Sequence, residues 1–291
     1  MIISGFGMCN GYYQKLKSGT FNLNKFYLRR YQKVVPFFAL LIILNCVIDF
    51  KWQTIFEGCM EMTMLFGFLP NNSLSTIGVA WTLGAIFAFY VIFPFVVFLL
   101  DNKRRAVITL LVSLGITYMC QTYFMVSPFV VENFTMRHSF LFCLPYFICG
   151  GLIYLCRNEI SEIVSKHKIL FFTICAVLIV TYLLTPDQIG LIDIIVPKTI
   201  LLYSACVCVA LCEKTPLLSN RFTNFISGIS MEMYLAHMVV FRIVDKLRVP
   251  ELFGNTTSGF LITYMLVVIL LVIGILLYRI VESKIKRKSF V

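Results

Sequence analysis

The chain has 291 residues, enough for one or two soluble domains, yet 59% of it is hydrophobic and only 13% is charged, about half the charged share of an average soluble domain. A soluble fold of this size cannot hide so much apolar surface, and the apolar residues form continuous runs where a lipid-facing barrel needs alternation. The net charge of +11 sits in short clusters between those runs, the habit of cytoplasmic loops, so no nucleic-acid partner is expected.

The fold class expected is all-α: one polytopic bundle of transmembrane helices over residues 1–291, with about eight complete spans and an N-terminal partial helix. Met1–Tyr13 is apolar and glycine-rich, lacks the basic flank of a signal peptide, and is too short to cross ~30 Å of hydrocarbon at about 1.5 Å per residue. The basic loop Gln14–Lys33 follows. Runs able to span then occupy Val34–Asp49, Val79–Leu100, Ala106–Ser127, Ser139–Cys156, Ile169–Leu184, Leu191–Cys212, Phe225–Ile243 and Ser258–Tyr278. Thr54–Leu69 carries Glu57 and Glu61 and stops at Pro70, so it is placed at the interface or as a re-entrant turn.

Charge asymmetry tests this order. With Gln14–Lys33 inside, alternate loops put Lys15, Lys17, Lys25, Arg29, Arg30, Lys33, Lys103, Arg104, Arg105, Arg157, Lys166, Lys168, Lys214, Arg221, Arg279, Lys284, Lys286, Arg287 and Lys288 on the same side. These are 19 of the 25 Lys and Arg residues. The expectation is a multipass protein of the inner (cytoplasmic) membrane with a basic, cytoplasmic C-terminus. The 11 cysteines show no metal spacing and read as small core hydrophobes, so neither a metal nor a disulfide framework is expected.

Four segments carry candidate chemistry. In Lys25-Phe26-Tyr27-Leu28-Arg29-Arg30-Tyr31-Gln32-Lys33, Arg30 and Lys33 share a helix face. Cations interleaved with rings suit a phosphate-bearing, planar ligand such as a nucleotide-linked acyl donor; they equally suit a topology signal touching anionic membrane lipid. In Ile229-Ser230-Met231-Glu232-Met233-Tyr234-Leu235-Ala236-His237, helical spacing puts Ser230, Tyr234 and His237 on one stripe and Glu232 nearly opposite. His237 is a candidate base toward a hydroxyl, with Tyr234 beside it; the same residues also suit hydrogen bonds between neighbouring helices. Arg137-His138 lies at the outer mouth of a span, where Arg137 either binds an anionic glycan, steadies an oxyanion, or snorkels to the interface. Trp81-Thr82-Leu83, ahead of Tyr90 and Pro94, reads as an interfacial anchor and a packed helix.

Taken in order, Ser4-Gly5-Phe6, Lys25–Arg30 with Pro36, Trp81-Thr82-Leu83 with Tyr90 and Pro94, Arg137, Tyr146-Phe147-Ile148-Cys149-Gly150 and Ile229–His237 resemble membrane-bound acyltransferase family 3, which includes bacterial surface-polysaccharide O-acetyltransferases. The resemblance covers essentially the whole chain. It implies an acyltransferase with no bound cofactor that takes acetyl from acetyl-CoA near Arg29, Arg30 and Lys33. The acceptor implied is a sugar hydroxyl on a lipid-linked or exported glycan, with His237, Arg137 and Tyr234 as the catalytic candidates. The family's first helix, with its arginine and histidine, has no counterpart here. Its acid after the Trp-x-Leu motif is Ile86, and the second arginine of its Arg-x-x-Arg signature is Lys33. The expectation that follows is a chain that does not complete acyl transfer by itself. Two other readings stay open: a multipass transporter or exporter of glycan precursors, and a non-catalytic member of the same fold.

Overall fold

A computed structural model describes residues 1–48, 50–69, 76–130, 134–186, 188–189, 192–193, 195–212, 219–253 and 256–288. Expectations resting on Asp49, Pro70, Leu191, Lys214 and Val291, and on the side chains of Cys212, Lys286, Arg287 and Lys288, lie outside the described residues. The helices are α1 (Ile2–Lys17), α2 (Leu23–Ile48), α3 (Trp52–Met62), α4 (Trp81–Leu99), α5 (Lys103–Met119), α6 (Phe140–Leu155), α7 (Arg157–Lys166), α8 (Lys168–Leu184), α9 (Ile195–Cys212), α10 (Arg221–Lys246), α11 (Val249–Phe253) and α12 (Thr257–Lys288). Among the described residues the fold is all-α, apart from a two-residue antiparallel ladder pairing Gln188–Ile189 with Ile192–Asp193.

Each of the predicted spans falls on a helix. Leu23–Ile48, Trp81–Leu99, Lys103–Phe124 and Thr257–Ile285 are long and apolar enough to cross a bilayer. α6 and α7 add a fifth if the pair counts as one broken span, bent by 73°. Among the described residues fewer helices are that long and apolar than the eight runs of the sequence, for physical reasons. Lys168–Leu184 and the apolar part of α9, Ile195–Leu211, are shorter apolar helices, and α10 carries Glu232, Arg242 and Asp245 along its length.

The chain forms two compact units. Unit 1 is Met1–Lys25, Gly67–Ser73 and Thr82–Ser219, and its centre is the packing of α1 on α6. A Cβ at Gly5 would fall inside the contact distance of the Phe147 carbonyl oxygen, and one at Gly150 inside that of the Ile2 carbonyl oxygen. Only hydrogen side chains allow two backbones this close, the small-residue packing used where lipid supplies no hydrophobic drive. Ile2, Cys149 and Ile153 are buried there, with Phe6, Tyr146 and Val207 against them. The rings of Phe89 (α4) and Phe147 (α6) stack at 4.3 Å. Gly19, in a left-handed conformation, ends α1 while Thr20 N–H donates back to the Lys15 carbonyl.

Polar ties gather three chain turns at one end of unit 1. Tyr13 donates to the Leu100 carbonyl at 3.1 Å, and Lys17 pairs with Asp101 at 2.7 Å. The Asn102 side chain caps α5 by accepting from Arg105 N–H at 3.0 Å. Lys103 pairs with Glu159 on α7. The pairing raises the affinity of Lys17 for its proton, chiefly through its hydrogen bond to Asp101, and holds the Asp101 carboxyl below its ordinary range. Within unit 1, three of the basic segments assigned to one membrane side, around Lys17, Lys103–Arg105 and α7, thus meet at one end.

Unit 2 is Phe26–Phe66, Leu74–Trp81 and Asn220–Val291. Here α3 runs back along α2: Gly58 lies against Ile42, and Tyr31 donates to the Thr63 carbonyl at 3.1 Å. Eleven residues of helix reach only ~16 Å, about half the hydrocarbon thickness. α3 is therefore too short to be a full span. An Asn220 capping box starts α10. α10 packs on α12, and the ring of Phe37 on α2 meets that of Tyr278 on α12 at 4.8 Å. Lys246 at the far end of α10 donates to the Ile48 carbonyl at the far end of α2.

Candidate functional site

Unit 2 holds five of the six sequence-derived site residues. Arg29, Arg30 and Lys33 occupy the opening turns of α2, with Arg29 and Lys33 exposed and Arg30 half-buried. The Arg30 guanidinium stands 5.5 Å above the buried ring of Phe26, so the ring fixes its plane and shields one face from water. Three like charges within two helical turns repel one another, and a polyanion bound there relieves that repulsion.

His237 and Tyr234 sit one turn apart on α10, their rings 5.8 Å from centroid to centroid. His237 Nδ1 lies 2.6 Å from the Tyr234 carbonyl oxygen. A carbonyl only accepts, so Nδ1 carries the hydrogen and the neutral ring keeps its lone pair on Nε2. Both residues line a cavity of about 1190 Å³ bounded by α10, α11 and α12, walled mainly by apolar side chains such as Met233, Met238, Phe241, Phe260 and Val267. Glu232 faces away from that stripe, as its helical angle requires. It is 9% exposed and accepts from Arg279 at 2.7 Å, while Arg279 also donates to the Gly228 carbonyl. The acid of this segment is therefore a structural partner.

Arg137 belongs to unit 1. It is exposed in the short Met136–His138 turn, where its carbonyl accepts from the Cys143 thiol at 3.3 Å and Ser139 caps α6. Burial, helped by the charge of Arg137, pulls the His138 imidazole below its ordinary 6.5.

A further polar cluster in unit 2 escaped the sequence reading. Arg242 Nη1 donates to Asn45 Oδ1 at 2.7 Å and to the Thr76 carbonyl at 3.2 Å. The Thr76 amide in turn donates to Glu61 Oε1 at 3.1 Å. Asn45, Glu61 and Thr76 are buried. Asn45, Thr76 and Arg242 line a second, mostly polar cavity of about 340 Å³ with Lys51, Gln53 and Glu57. The available signal was polar residues in apolar surroundings: Asn45 inside one span, Arg242 inside another, and two acids in the ambiguous segment. No group of three His, Cys, Asp or Glu among the described residues is placed to hold a metal. Cys9, Cys143 and Cys149 are buried free thiols.

Residues 1–279 match the family described as the acyltransferase domain of acyltransferase family 3. The chain belongs to that family, and is a membrane acyltransferase by class, requiring an acyl donor and an acceptor. No curated protein and no solved structure matches the chain.

Proposed function

We propose that the chain is a membrane-embedded O-acyltransferase that moves acetyl from acetyl-CoA to a sugar hydroxyl of a cell-surface or exported polysaccharide. It would sit in the cytoplasmic membrane with Gln14–Lys33 and Arg279–Val291 on the cytoplasmic side. The reading rests on family membership and on one geometric observation. His237, with Nδ1 tied to the Tyr234 carbonyl, carries a basic Nε2 in the wall of a large cavity, in the unit that also carries Arg29, Arg30 and Lys33.

In this scheme the cations hold the donor's phosphates and nearby rings pack on its planar base. His237 Nε2 takes the proton of the sugar hydroxyl as its oxygen attacks the thioester carbonyl. The C–S bond breaks, and the departing thiolate takes that proton from the imidazolium, returning neutral histidine. The apolar walls of the cavity suit the lipid portion of a lipid-linked acceptor. Arg137, in unit 1, is given no step at His237 and is proposed as a contact for an anionic glycan.

The test uses membranes of cells expressing the protein, supplied with isotopically labelled acetyl-CoA. Label should enter the polysaccharide, and His237→Ala should lower its rate by about 10²–10⁴-fold, the usual worth of a general base; no label incorporated and no glycan moved would overturn this reading in favour of the sequence expectation, a chain that does not complete transfer by itself. Glycan translocation with no label incorporated would favour the exporter reading and overturn this one.

A further inference from the structure

We infer that the small polar cavity of unit 2 is a binding site for one neutral sugar ring of the acceptor. This rests on the glycan-acceptor reading above and assigns it a place: the end of unit 2 where α2 and α10 finish, joined by Lys246 and the Ile48 carbonyl.

The chemistry of the walls carries the argument. Asn45, Gln53, Thr76 and Arg242 give amide, hydroxyl and guanidinium groups within one cavity of about 340 Å³, at the small end of the ~300–1,000 Å³ range of small-molecule sites. That is room enough for one pyranose ring. Among the described residues the lining carries Lys51 and Arg242 beside Glu57, and the neutral amides and hydroxyl between them suit the hydroxyls of a polyol.

One buried group in its wall is short of a partner among the described residues. Thr76 is 2% exposed and lines the cavity, yet its hydroxyl makes no hydrogen bond. An unmade hydrogen bond on a buried polar atom is costly, and a ligand hydroxyl, at once donor and acceptor, relieves it. Arg242 adds capacity: a guanidinium has five N–H donors, and among the described residues its hydrogen bonds leave from Nη1. Next in sequence to the lining residues Lys51 and Gln53, Phe50 and Trp52 are 66% and 79% exposed, with rings 5.7 Å apart. Exposed rings beside planar amides offer the C–H face of a sugar a surface and its hydroxyls partners.

Trp52 gives a readout independent of activity. The chain has two tryptophans, so Trp81→Phe leaves Trp52 as the sole emitter. The full chain in nanodiscs is titrated with methyl α-D-glucopyranoside, methyl β-D-galactopyranoside and N-acetylglucosamine, and in parallel with inorganic phosphate. The expected result is a saturable change in Trp52 emission with at least one sugar at millimolar concentration and none with phosphate. Asn45→Ala should weaken it about tenfold, the loss of roughly one hydrogen bond. Gln53→Ala, at an exposed position that leaves the buried network whole, should weaken it as well, guarding against a folding defect. No saturable response to any of the three sugars, a response to phosphate instead, or sugar affinity unchanged in both variants overturns the assignment. Sugar binding in a protein that transfers no acetyl would sink the enzymatic reading alone; acetyl transfer without any sugar response would sink the cavity assignment alone.

Discussion

Arg279 on α12 donates to Glu232 on α10 at 2.7 Å, linking positions 47 residues apart within unit 2. Glu232 lies in the segment ending at His237, and this pairing gives it a structural role. Glu232→Ala should leave a half-buried guanidinium without its counter-charge and cost about 1–2 kcal/mol. That is less than the ~3–5 of a fully buried pair because Arg279 is 38% exposed. Unfolding of the single and double variants with Arg279→Ala, in one lipid environment, checks it. A double-mutant coupling near zero would show that the two charges do not stabilise each other.

The contact of α1 with α6 predicts a contrast between glycines. Gly150→Ala places a methyl group against the Ile2 backbone, and Gly5→Ala places one against Phe147. Either should cost about 1–3 kcal/mol as the helices are forced apart. Gly11→Ala, also on α1 but with nothing within 4 Å, should be neutral or stabilise by up to ~1 kcal/mol through helix propensity. Thermal unfolding in nanodiscs separates these, and equal effects at all three sites would contradict the packing described.

Much of this was legible because membrane helices are written as apolar runs. Ala106–Ser127 became α5 and the turn after it, and the acids Glu57 and Glu61 marked the segment whose helix, α3, is too short to span. What the runs do not encode is which faces meet. Asn45 and Arg242 are 197 residues apart, and a helical wheel places each on a face without naming its neighbour. The 73° break after α6 also escaped, because the charged helix that follows it reads as an ordinary basic loop. The motif glycines were legible as motifs; the contact of Gly5 with the Phe147 and Gly150 turn gives them their physical reason.

His138 predicts a pH effect with a definite sign. Its folded pKa is lowered from 6.5, by burial first and Arg137 second, so below that pH the unfolded chain binds the proton more readily. This group therefore contributes no pH dependence well above 6.5, lowers stability as pH falls through that value, and levels off below the folded pKa. Arg137→Gln should move the His138 titration part of the way back toward 6.5, since burial remains. NMR titration with His138→Gln for assignment reads it, and a midpoint at or above the ordinary value would contradict the described burial.

The most direct measurement of the account is acetyl-CoA affinity in nanodiscs, for the unaltered protein and for Arg30→Gln. The family requires an acyl donor, and Arg30, braced by Phe26 between Arg29 and Lys33, is the residue proposed to meet its phosphates. Saturable binding should be seen, and the variant should lose about 1.5–3 kcal/mol, roughly ten- to a hundredfold in affinity, the size of a charge-assisted bond. Affinity unchanged in a folded Arg30→Gln protein would contradict the account and reduce the basic turns of α2 to a topology signal.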